Sequence, residues 1–399
     1  MKPAHIAWLL GCCVLPLCAT AAPPEPLRIG FICPLSGGSG DFGNSARLGA
    51  ELAVQEINEV GGYLGRPLEL VLRDDKAQPD EGRRVAEDLV LKEKVAFTVG
   101  YCNTGVALKA LDVFQDHRHL LMVPVATGSA LTARYPAAES YVFRMSPRDT
   151  LQADFLVREA VLRRGLKRIA LFADRTGYGE GGLADLKRFL AEQGLQPVHV
   201  ARFDLGVNSL VTEVQAAQAA GAEALIAYSV GPELATLASA RAAARFGGPL
   251  LGPWPMSFRT VWEKSAGAAE GAMMVQSIVP DLSNERRMSF IARLKRHAGG
   301  TPIASLMAAA QSYDAVHLML RGVFQTRGDT RGPALKAALE NLQNAYPGVV
   351  TTHDRPFSPQ DHDAFSINMI WLATWRAGAL QFVYSEDARR AAVMRRKAE

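Results

Sequence analysis

A glycine-rich loop near the start of the chain has the spacing of a nucleotide-binding fingerprint. Residues 34–45 read PLSGGSGDFGNS and contain the pattern G-x-G-x-x-G starting at Gly38, between a strand-like run and a helix-like run. In a dinucleotide site the first glycine follows its strand almost directly, and an acidic residue comes about 20 positions later. Here Pro-Leu-Ser-Gly separates the strand from Gly38, and the acidic candidates, Asp74 and Asp75, lie much further on. The spacing therefore disfavours NAD binding, and we expect no cofactor.

The residue types that perform catalysis do not occur in a catalytic spacing. The sequence has no G-x-S-x-G elbow, no Walker loop and no H-E-x-x-H pair among its eight histidines. His117 and His119 stand two apart in a polar turn, where solvated side chains are expected. We therefore predict neither a metal site nor an enzymatic active site.

The N-terminus has the order of segments found in secretory signal peptides. Lys2 precedes an apolar run at residues 6–19, and a small-x-small sequence ends at Ala21. This order predicts export, with cleavage near Ala21. A transmembrane anchor is disfavoured because the run is short and contains Pro16. A lipoprotein signal ending at Cys12 ranks second, because almost no apolar segment would precede the cysteine.

Cleavage at that point would leave two cysteines, Cys33 and Cys102, in the mature chain. Each falls at the end of a predicted strand. An even number of cysteines in an oxidising compartment is typical of disulfide bonding. The spacing is compatible with a Cys33–Cys102 bridge but does not by itself establish one.

The length and charge of the chain restrict the class of protein to which it can belong. With 399 residues, of which 48% are hydrophobic, the chain can form two or three domains. Its formal charge is +4, from 44 basic and 40 acidic residues that are mixed along the chain. Because no basic stripe stands out, we expect no nucleic-acid partner.

Strand-like and helix-like runs alternate in two successive series. The first series extends from a strand at 27–33 to one at 120–123, and the second from 168–173 to 250–251. Such alternation predicts two parallel sheets covered by helices. The remainder is mostly helical with a last strand at 367–373, and it is too small for a third domain. Its helices would complete the first unit and its strand the second, so that the chain would cross between the units three times.

Several stretches in a fixed order resemble the periplasmic leucine/isoleucine/valine-binding protein family. GFICPLSGGSGDFGNSARLGAELAVQEIN is followed by GGYLGRPLELVLRDD, VGYCNTGVALKAL, MVPVATGSALT, YVFRMSPRDTLQA and TGYGEGG. Any one of these stretches is weak evidence, whereas the ordered set spans nearly the whole mature chain. The resemblance implies the type I periplasmic binding fold: two Rossmann-like, doubly wound α/β lobes joined by three hinge crossovers.

Together with the alternating elements, the resemblance divides the chain into four parts. They are a signal peptide at 1–21, an N-terminal lobe at 27–145 and 278–362, a C-terminal lobe at 146–277 and 363–384, and a tail at 385–399.

Members of this family are the solute receptors of ABC transporters. The resemblance therefore implies a periplasmic, non-enzymatic protein, expected to be a monomer, that binds a small molecule between its lobes and delivers it to an inner-membrane ABC permease. One alternative is a ligand-sensing receptor module of the same fold, which the neighbouring genes would distinguish. A second alternative is an exported α/β hydrolase or oxidoreductase, which would turn over its ligand.

The resemblance also assigns ligand-binding positions. Phe42 matches an aromatic position of the cleft, and Thr104 and Thr127 match hydroxyls that bind a ligand carboxylate together with backbone N–H groups, an arrangement that suits an anion. Phe42 could instead pack only its own loop, and each threonine could cap a helix. The full set of candidates is Phe42, Tyr101, Asn103, Thr104, Val125, Ala126, Thr127, Tyr178, Tyr228, Ser229 and Trp254.

One position departs from the family pattern. Members that bind amino acids carry an acid after Gly-Pro to hold the ligand ammonium, whereas this chain has Trp254 in LLGPWPMSF. Burying an ammonium group without a paired charge is costly, and only Glu180 and Glu233 are candidates to replace the acid. We therefore expect an aromatic or branched aliphatic carboxylate, or an amide, with an amino acid as the less favoured ligand.

Overall fold

The computed structural model describes residues 24–280, 284–391 and 397. The predicted signal peptide lies outside these residues. No helix in the described ranges combines the length and apolar character needed to cross a bilayer. The strands are β1 (Leu27–Cys33), β2 (Leu68–Asp74), β3 (Thr98–Gly100), β4 (Leu121–Val123), β5 (Val142–Arg144), β6 (Ile169–Asp174), β7 (His199–Phe203), β8 (Ala224–Tyr228), β9 (Leu250–Gly252), β10 (Met273–Gln276), β11 (Tyr346–Pro347), β12 (Thr352–His353), β13 (Trp371–Arg376) and β14 (Ala379–Phe382).

Helices connect most of these strands. They are α1 (Gly40–Glu59), α2 (Pro79–Glu87), α3 (Thr104–Asp116), α4 (Ala130–Ala133), α5 (Asp149–Val157), α6 (Gly177–Glu192), α7 (Val211–Ala219), α8 (Gly231–Ala243), α9 (Arg259–Lys264), α10 (Glu285–Ala298), α11 (Leu306–Gln325), α12 (Gly332–Leu339) and α13 (Ser385–Ala391). Two of them, α2 and α5, continue into π-helical turns.

The strands form two separate large sheets. The first has the order β2-β1-β3-β4-β5 and is parallel throughout. The second has the order β14-β13-β10-β9-β8-β6-β7, in which β13 and β14 run antiparallel to their neighbours. The central strands β1, β6 and β8 are almost entirely buried, as expected of parallel strands covered by helices on both faces. The prediction of two α/β units with parallel sheets is confirmed.

The chain passes between the two units three times. It leaves the first sheet after β5 and enters the second unit with α5. After β10 it returns, because α10 and α11 pack against α1. It then crosses again to add β13 beside β10.

The glycine-rich loop has a structural role that its spacing did not suggest. The sequence pattern placed the helix start at residue 45, but α1 begins at Gly40. A Cβ atom on Gly43 would lie 1.8 Å from the carbonyl oxygen of Pro34. The glycine therefore allows the first turn of α1 to pack directly on the end of the preceding loop.

Several short or irregular elements were not assigned from the sequence, namely α4, α5, α9, β5, β10, β11, β12 and β14. Every residue of β5 and β10 is buried, so neither strand shows the alternation of polar and apolar residues that would mark it in the sequence.

Cys33 and Cys102 lie side by side at the carboxyl ends of two adjacent strands of the first sheet. Cys33 ends β1 and Cys102 follows the neighbouring strand β3. Their Cα atoms are 5.4 Å apart, and a disulfide joins them. This distance lies within the usual range for disulfides. The bond therefore ties the ends of two adjacent strands together.

We predict that the mature exported protein contains no free thiol. Thiol counting under denaturing conditions, before and after reduction, measures this directly. Reduction should release two thiols per chain, and two thiols already free in the unreduced protein would contradict the pairing. Removing a native disulfide typically costs about 2–5 kcal/mol, so the reduced protein should also unfold at a lower urea concentration.

Candidate functional site

A cavity lies between the two sheets, at the carboxyl ends of their parallel strands. This is the edge where open α/β sheets bind ligands. Its volume is about 310 Å³, at the small end of the range for ligand sites, about 300–1,000 Å³. The lining residues are Ser39, Phe42, Ala77, Pro79, Cys102, Asn103, Thr104, Gly105, Val106, Thr127, Thr176, Gly177, Tyr178, Leu205, Val230, Trp254, Pro255 and Phe258.

One end of the cavity is polar and is formed by two helix N-termini. No side chain caps the N-terminus of α3, whereas Thr176 caps α6 by accepting hydrogen bonds from backbone N–H groups. A Cβ atom on Gly177 would lie 3.7 Å from the Cα of Gly105, so the two helix starts meet across the cavity. The unpaired N–H groups and aligned dipoles at a helix start favour an anion.

Side chains around the start of α3 leave its first turn open to the cavity. The Thr104 hydroxyl accepts a hydrogen bond from the N–H of Gly128 at 3.1 Å. The side-chain amide of Asn103 donates to Ser39 Oγ at 3.3 Å, while its Oδ1 is buried without a partner. The polar atoms at this end are thus positioned before any ligand arrives.

The other end of the cavity is aromatic. Phe42 from the first unit stacks on Phe258 from the second, with ring centroids 5.2 Å apart. Trp254 meets Phe42 and Phe258 edge-on, at 6.1 and 5.1 Å. All three rings are buried. They form an apolar surface suited to a flat ring or a branched aliphatic group.

Trp254 is held in place from both units. Its indole Nε1 donates to the Thr127 hydroxyl at 3.4 Å, which links the two units directly. Its backbone N–H donates to Gln152 Oε1 at 3.1 Å, and its carbonyl accepts from Gln276 at 3.0 Å. The position of this ring is therefore fixed by packing and by hydrogen bonds.

The lining contains no charged side chain. Glu180 does not reach the cavity, and its carboxylate accepts from Arg202 Nε at 2.8 Å. Glu233 is buried beside the N–H of Gly206, from which its Oε1 accepts at 2.9 Å. Neither of the acids considered as replacements at the Trp254 position lines the cavity.

Residues 26–379 match the family model described as periplasmic binding protein. The chain belongs to this family. It is 34% identical over 196 residues to the Leu/Ile/Val-binding protein homolog 3 of Brucella melitensis, an alignment covering 48% of this chain and 52% of that protein. The chain thus spans about half the length of the curated relatives that it matches first.

Solved structures share the fold of this periplasmic binding protein. The substrate binding protein LivJ of Streptococcus pneumoniae, solved in complex with isoleucine, superposes with a TM-score of 0.77 at 21% identity, covering 90% of this chain and 98% of that one. A solute binding protein of R. palustris, solved in complex with 4-hydroxybenzoate, gives a TM-score of 0.77 at 18% identity, covering 89% and 95%. The type I periplasmic binding fold expected from the sequence is therefore confirmed.

The cavity brings together part of the set of residues proposed from the sequence of this periplasmic binding protein. The members that line it are Phe42, Asn103, Thr104, Thr127, Tyr178 and Trp254. Their contact with a ligand stays a prediction. The other members, Tyr101, Val125, Ala126, Tyr228 and Ser229, are buried outside the lining.

Tyr101 does not line the cavity. Its backbone has φ of 70°, in the left-handed region, and its side chain is fully buried in the core beneath α2. Its hydroxyl donates to the carbonyl of Gly82 at 2.9 Å. The side chain therefore packs α2 on the sheet, although the next residues along the chain reach the cavity.

Four further candidates also lie outside the lining: Val125, Ala126, Tyr228 and Ser229. Val125 and Ala126 pack into the hydrophobic cores on either side of the first sheet. Tyr228 lies behind Tyr178, with ring centroids 5.0 Å apart. The fully buried Ser229 directly follows it at the end of β8. These residues support the cavity from behind.

Sequence reasoning missed several lining residues, among them Ser39, Thr176 and Phe258. Thr176 could have been found, because it precedes a glycine-rich helix start where a cap is expected. Phe258 follows Trp254 by four residues across a 3₁₀ turn, a spacing that carries no recognisable pattern. No group of three or more His, Cys, Asp or Glu side chains suited to a metal occurs within the described part of the chain.

A buried ion pair fixes the loop that carries Thr127. Arg144 at the end of β5 is completely buried, and its Nε donates to Asp363 Oδ1 at 2.7 Å. Its Nη1 donates to the carbonyls of Thr127 and Gly128 at 2.9 and 2.6 Å. Burial alone would raise the pKa of Asp363, but the charge and hydrogen bonds of Arg144 hold it below the ordinary value. Arg144 therefore links the first and third crossovers to the polar end of the cavity.

Asp363→Asn should lower the free energy of unfolding by about 3–5 kcal/mol at neutral pH, because Arg144 would remain charged and buried without its partner. A carboxyl with a lowered folded-state pKa stabilises the protein above its unfolded pKa, about 3.9, and loses this effect as pH falls through the folded value. Urea unfolding at pH 7 and below pH 4 measures this effect. The difference in the free energy of unfolding between wild type and variant should be smaller below pH 4 than at pH 7.

Asp329→Asn is the matched control. Hydrogen bonds from Arg331 lower the pKa of Asp329 to about 2, but this pair lies at the surface. Its removal should change the urea midpoint little. Equal effects of the two substitutions would show that burial of the Arg144 pair does not matter.

Proposed function

We propose that the protein is an extracytoplasmic solute-binding protein that holds a small aromatic or branched aliphatic carboxylate between its lobes and delivers it to an ABC importer. The observation that carries this proposal is the cavity, which has a helix N-terminus at one end, buried aromatic rings at the other and no charged side chain in its lining. In this proposal the lobes are residues 27–145 with 278–362, and 146–277 with 363–384.

The polar end supports a carboxylate without a basic side chain. The first-turn N–H groups of α3, together with the hydroxyls of Thr104 and Thr127, can donate to both oxygens of one carboxylate. Hydrogen bonds to a charged group contribute about 1.5–3 kcal/mol each. This end therefore supplies orientation as well as affinity.

The aromatic end supports an uncharged body. A free α-amino acid would place its ammonium in a cavity whose lining offers no carboxylate, and burying an unpaired charge is costly. The two solved relatives named above were in complex with an amino acid in one case and an aromatic carboxylate in the other. The aromatic cluster of Phe42, Trp254 and Phe258 favours the second kind of ligand for this chain.

The family match supports the rest of the proposal. Solute-binding proteins of this family capture ligands and do not convert them, so we infer that the chain is not an enzyme. The N-terminal segment 1–21 would direct it to the periplasm and be removed near Ala21, and the partner that receives the ligand would be an inner-membrane permease.

Aromatic or branched aliphatic carboxylates should bind better than leucine, isoleucine or valine, by a factor of about tens to hundreds, because the amino acids lack an ionic partner. Thermal-shift screening followed by calorimetry measures the preference. Trp254→Glu should reverse it by supplying the missing acid.

Glu180→Gln and Glu233→Gln are the controls, because both acids lie outside the cavity and their removal should leave the preference unchanged. Tight binding of leucine that survives both substitutions would show that Trp254 does not exclude an ammonium group. Turnover of a bound ligand would point instead to an enzyme.

Ligand binding should compact the molecule without changing its secondary structure, because the three crossovers act as hinges between rigid lobes. Small-angle scattering with and without saturating ligand should give a smaller radius of gyration for the bound protein, while circular dichroism stays the same. An unchanged radius at saturation would contradict hinge closure.

A further inference from the structure

A buried carboxyl group lies directly behind the polar end of the cavity. Asp149 begins α5, and its side chain is about 1% exposed. Its backbone N–H donates to the carbonyl of Thr127 at 2.8 Å. Its Oδ1 accepts from the Tyr228 hydroxyl at 2.8 Å, and Tyr228 packs on the lining residue Tyr178. Thr127 therefore lies between Asp149 and the site proposed for the ligand carboxylate.

The two arginine side chains near Asp149 bind other groups. Arg144 donates to Asp363 and to the carbonyls of Thr127 and Gly128. Arg148, in the turn before α5, pairs with Asp363 Oδ2 at 3.2 Å. Neither guanidinium forms an ion pair with Asp149 among the contacts of the described residues.

The other acidic groups around Asp149 are satisfied locally. On the adjacent helix α6, Asp185 accepts from Ser129 Oγ and from Arg188, each at 3.1 Å. Asp174 at the end of β6 accepts from the N–H groups of Thr176 and Val230. The hydroxyls of Tyr178 and Tyr228 face Asp149 from α6 and β8, and burial raises both tyrosine pKa values well above the ordinary value.

Burial has a large effect on this carboxyl. It raises the pKa of Asp149 to about 7, against the opposing effects of hydrogen bonds from the Thr127 and Tyr228 hydroxyls and of the charge on Arg144. Its charge therefore changes near neutral pH, a range in which a carboxylate ligand stays ionised because ordinary carboxyl groups titrate near pH 4.

Resting on the proposed function, we propose that Asp149 sets the charge of the ligand that the site accepts, and that a carboxylate binds together with one proton held on Asp149. A protonated Asp149 leaves the neighbourhood of Thr127 neutral and frees the Thr127 O–H, which otherwise donates to the Asp149 carboxylate, so that a ligand anion meets only N–H and O–H donors. An ionised Asp149 would place a second negative charge beside the ligand carboxylate in a poorly solvated site. Asp149 is thus a specificity-determining residue that acts through Thr127 without touching the ligand.

Calorimetric titration of the wild-type protein with benzoate, and in parallel with 3-methylbutanoate, tests the inference at pH 5.5, 7.0 and 8.5. The affinity for each ligand should be constant at pH values below the pKa of Asp149. Above that pKa it should fall by about tenfold for each pH unit, as linkage of one proton requires. At pH 8.5, titration in buffers of different ionisation enthalpy should show uptake of close to one proton per ligand.

Asp149→Asn imitates the protonated carboxyl and should keep the acid-range affinity at pH 8.5. Asp75→Asn is the matched control. Burial also raises the pKa of Asp75 to about 7, but its Oδ1 accepts from the N–H of Ala77, a lining residue in the loop before α2, and its hydrogen bonds do not involve Thr127 or Tyr228. The Asp75 variant should retain the pH dependence of the wild type.

The outcomes separate the two proposals. Binding of either acid with the same affinity at all three pH values, or without proton uptake at pH 8.5, overturns the role of Asp149 and leaves the proposed function standing. Loss of the pH dependence in Asp75→Asn and not in Asp149→Asn also overturns the role of Asp149 and leaves the proposed function standing. Failure of both acids to bind at any pH overturns the proposed function itself and the inference with it. If Asp149→Asn does not fold, uptake of one proton by both the wild type and Asp75→Asn supports the role of Asp149, and absence of uptake overturns it.

Discussion

The ion pair between Arg144 and Asp363 is the interaction on which the geometry of the site depends. It joins the end of β5 to the third crossover, and the same guanidinium binds the carbonyls of the loop that carries Thr127. Backbone hydrogen bonds extend this junction, because the N–H of Arg144 donates to His362 and its carbonyl accepts from Ala364. A buried pair is expensive to desolvate. Here it gives the crossovers and the polar end of the cavity one common anchor.

This anchor explains how a hinged molecule can keep a defined binding site. At the polar end, the start of α3 and the loop of Thr127 belong to the first sheet, while Trp254 comes from the second sheet and reaches Thr127 by its indole N–H. Motion at the crossovers would separate Trp254 from Thr127 without disturbing the loop that Arg144 holds. Closure would then bring an aromatic surface onto a ligand whose charged end is already oriented by α3. Orientation and enclosure are thus carried by different elements.

Much of the fold could be predicted because hydrophobic runs and glycine breaks recur at regular intervals. The bounds of β1 agree with the strand predicted at 27–33, since it is a continuous apolar run with clear ends. The cavity was harder to predict. Phe42, Thr104 and Trp254, which were proposed through the resemblance, line it, whereas the side chain of Tyr101 packs in the core. Asp149 and Arg144 carry no local signal of burial, since a charged residue next to a loop is ordinarily solvated.

The central claim is that the cavity holds an anion at the start of α3 and an uncharged body against Trp254. A crystal structure of the mature protein grown with benzoate tests it most directly. The account predicts carboxylate oxygens within hydrogen-bond distance of the first-turn N–H groups of α3 and of the Thr127 hydroxyl, with the ring packed against Phe42, Trp254 and Phe258. A ligand bound in the reverse orientation, or a retained amino acid with its ammonium beside Trp254, would contradict it.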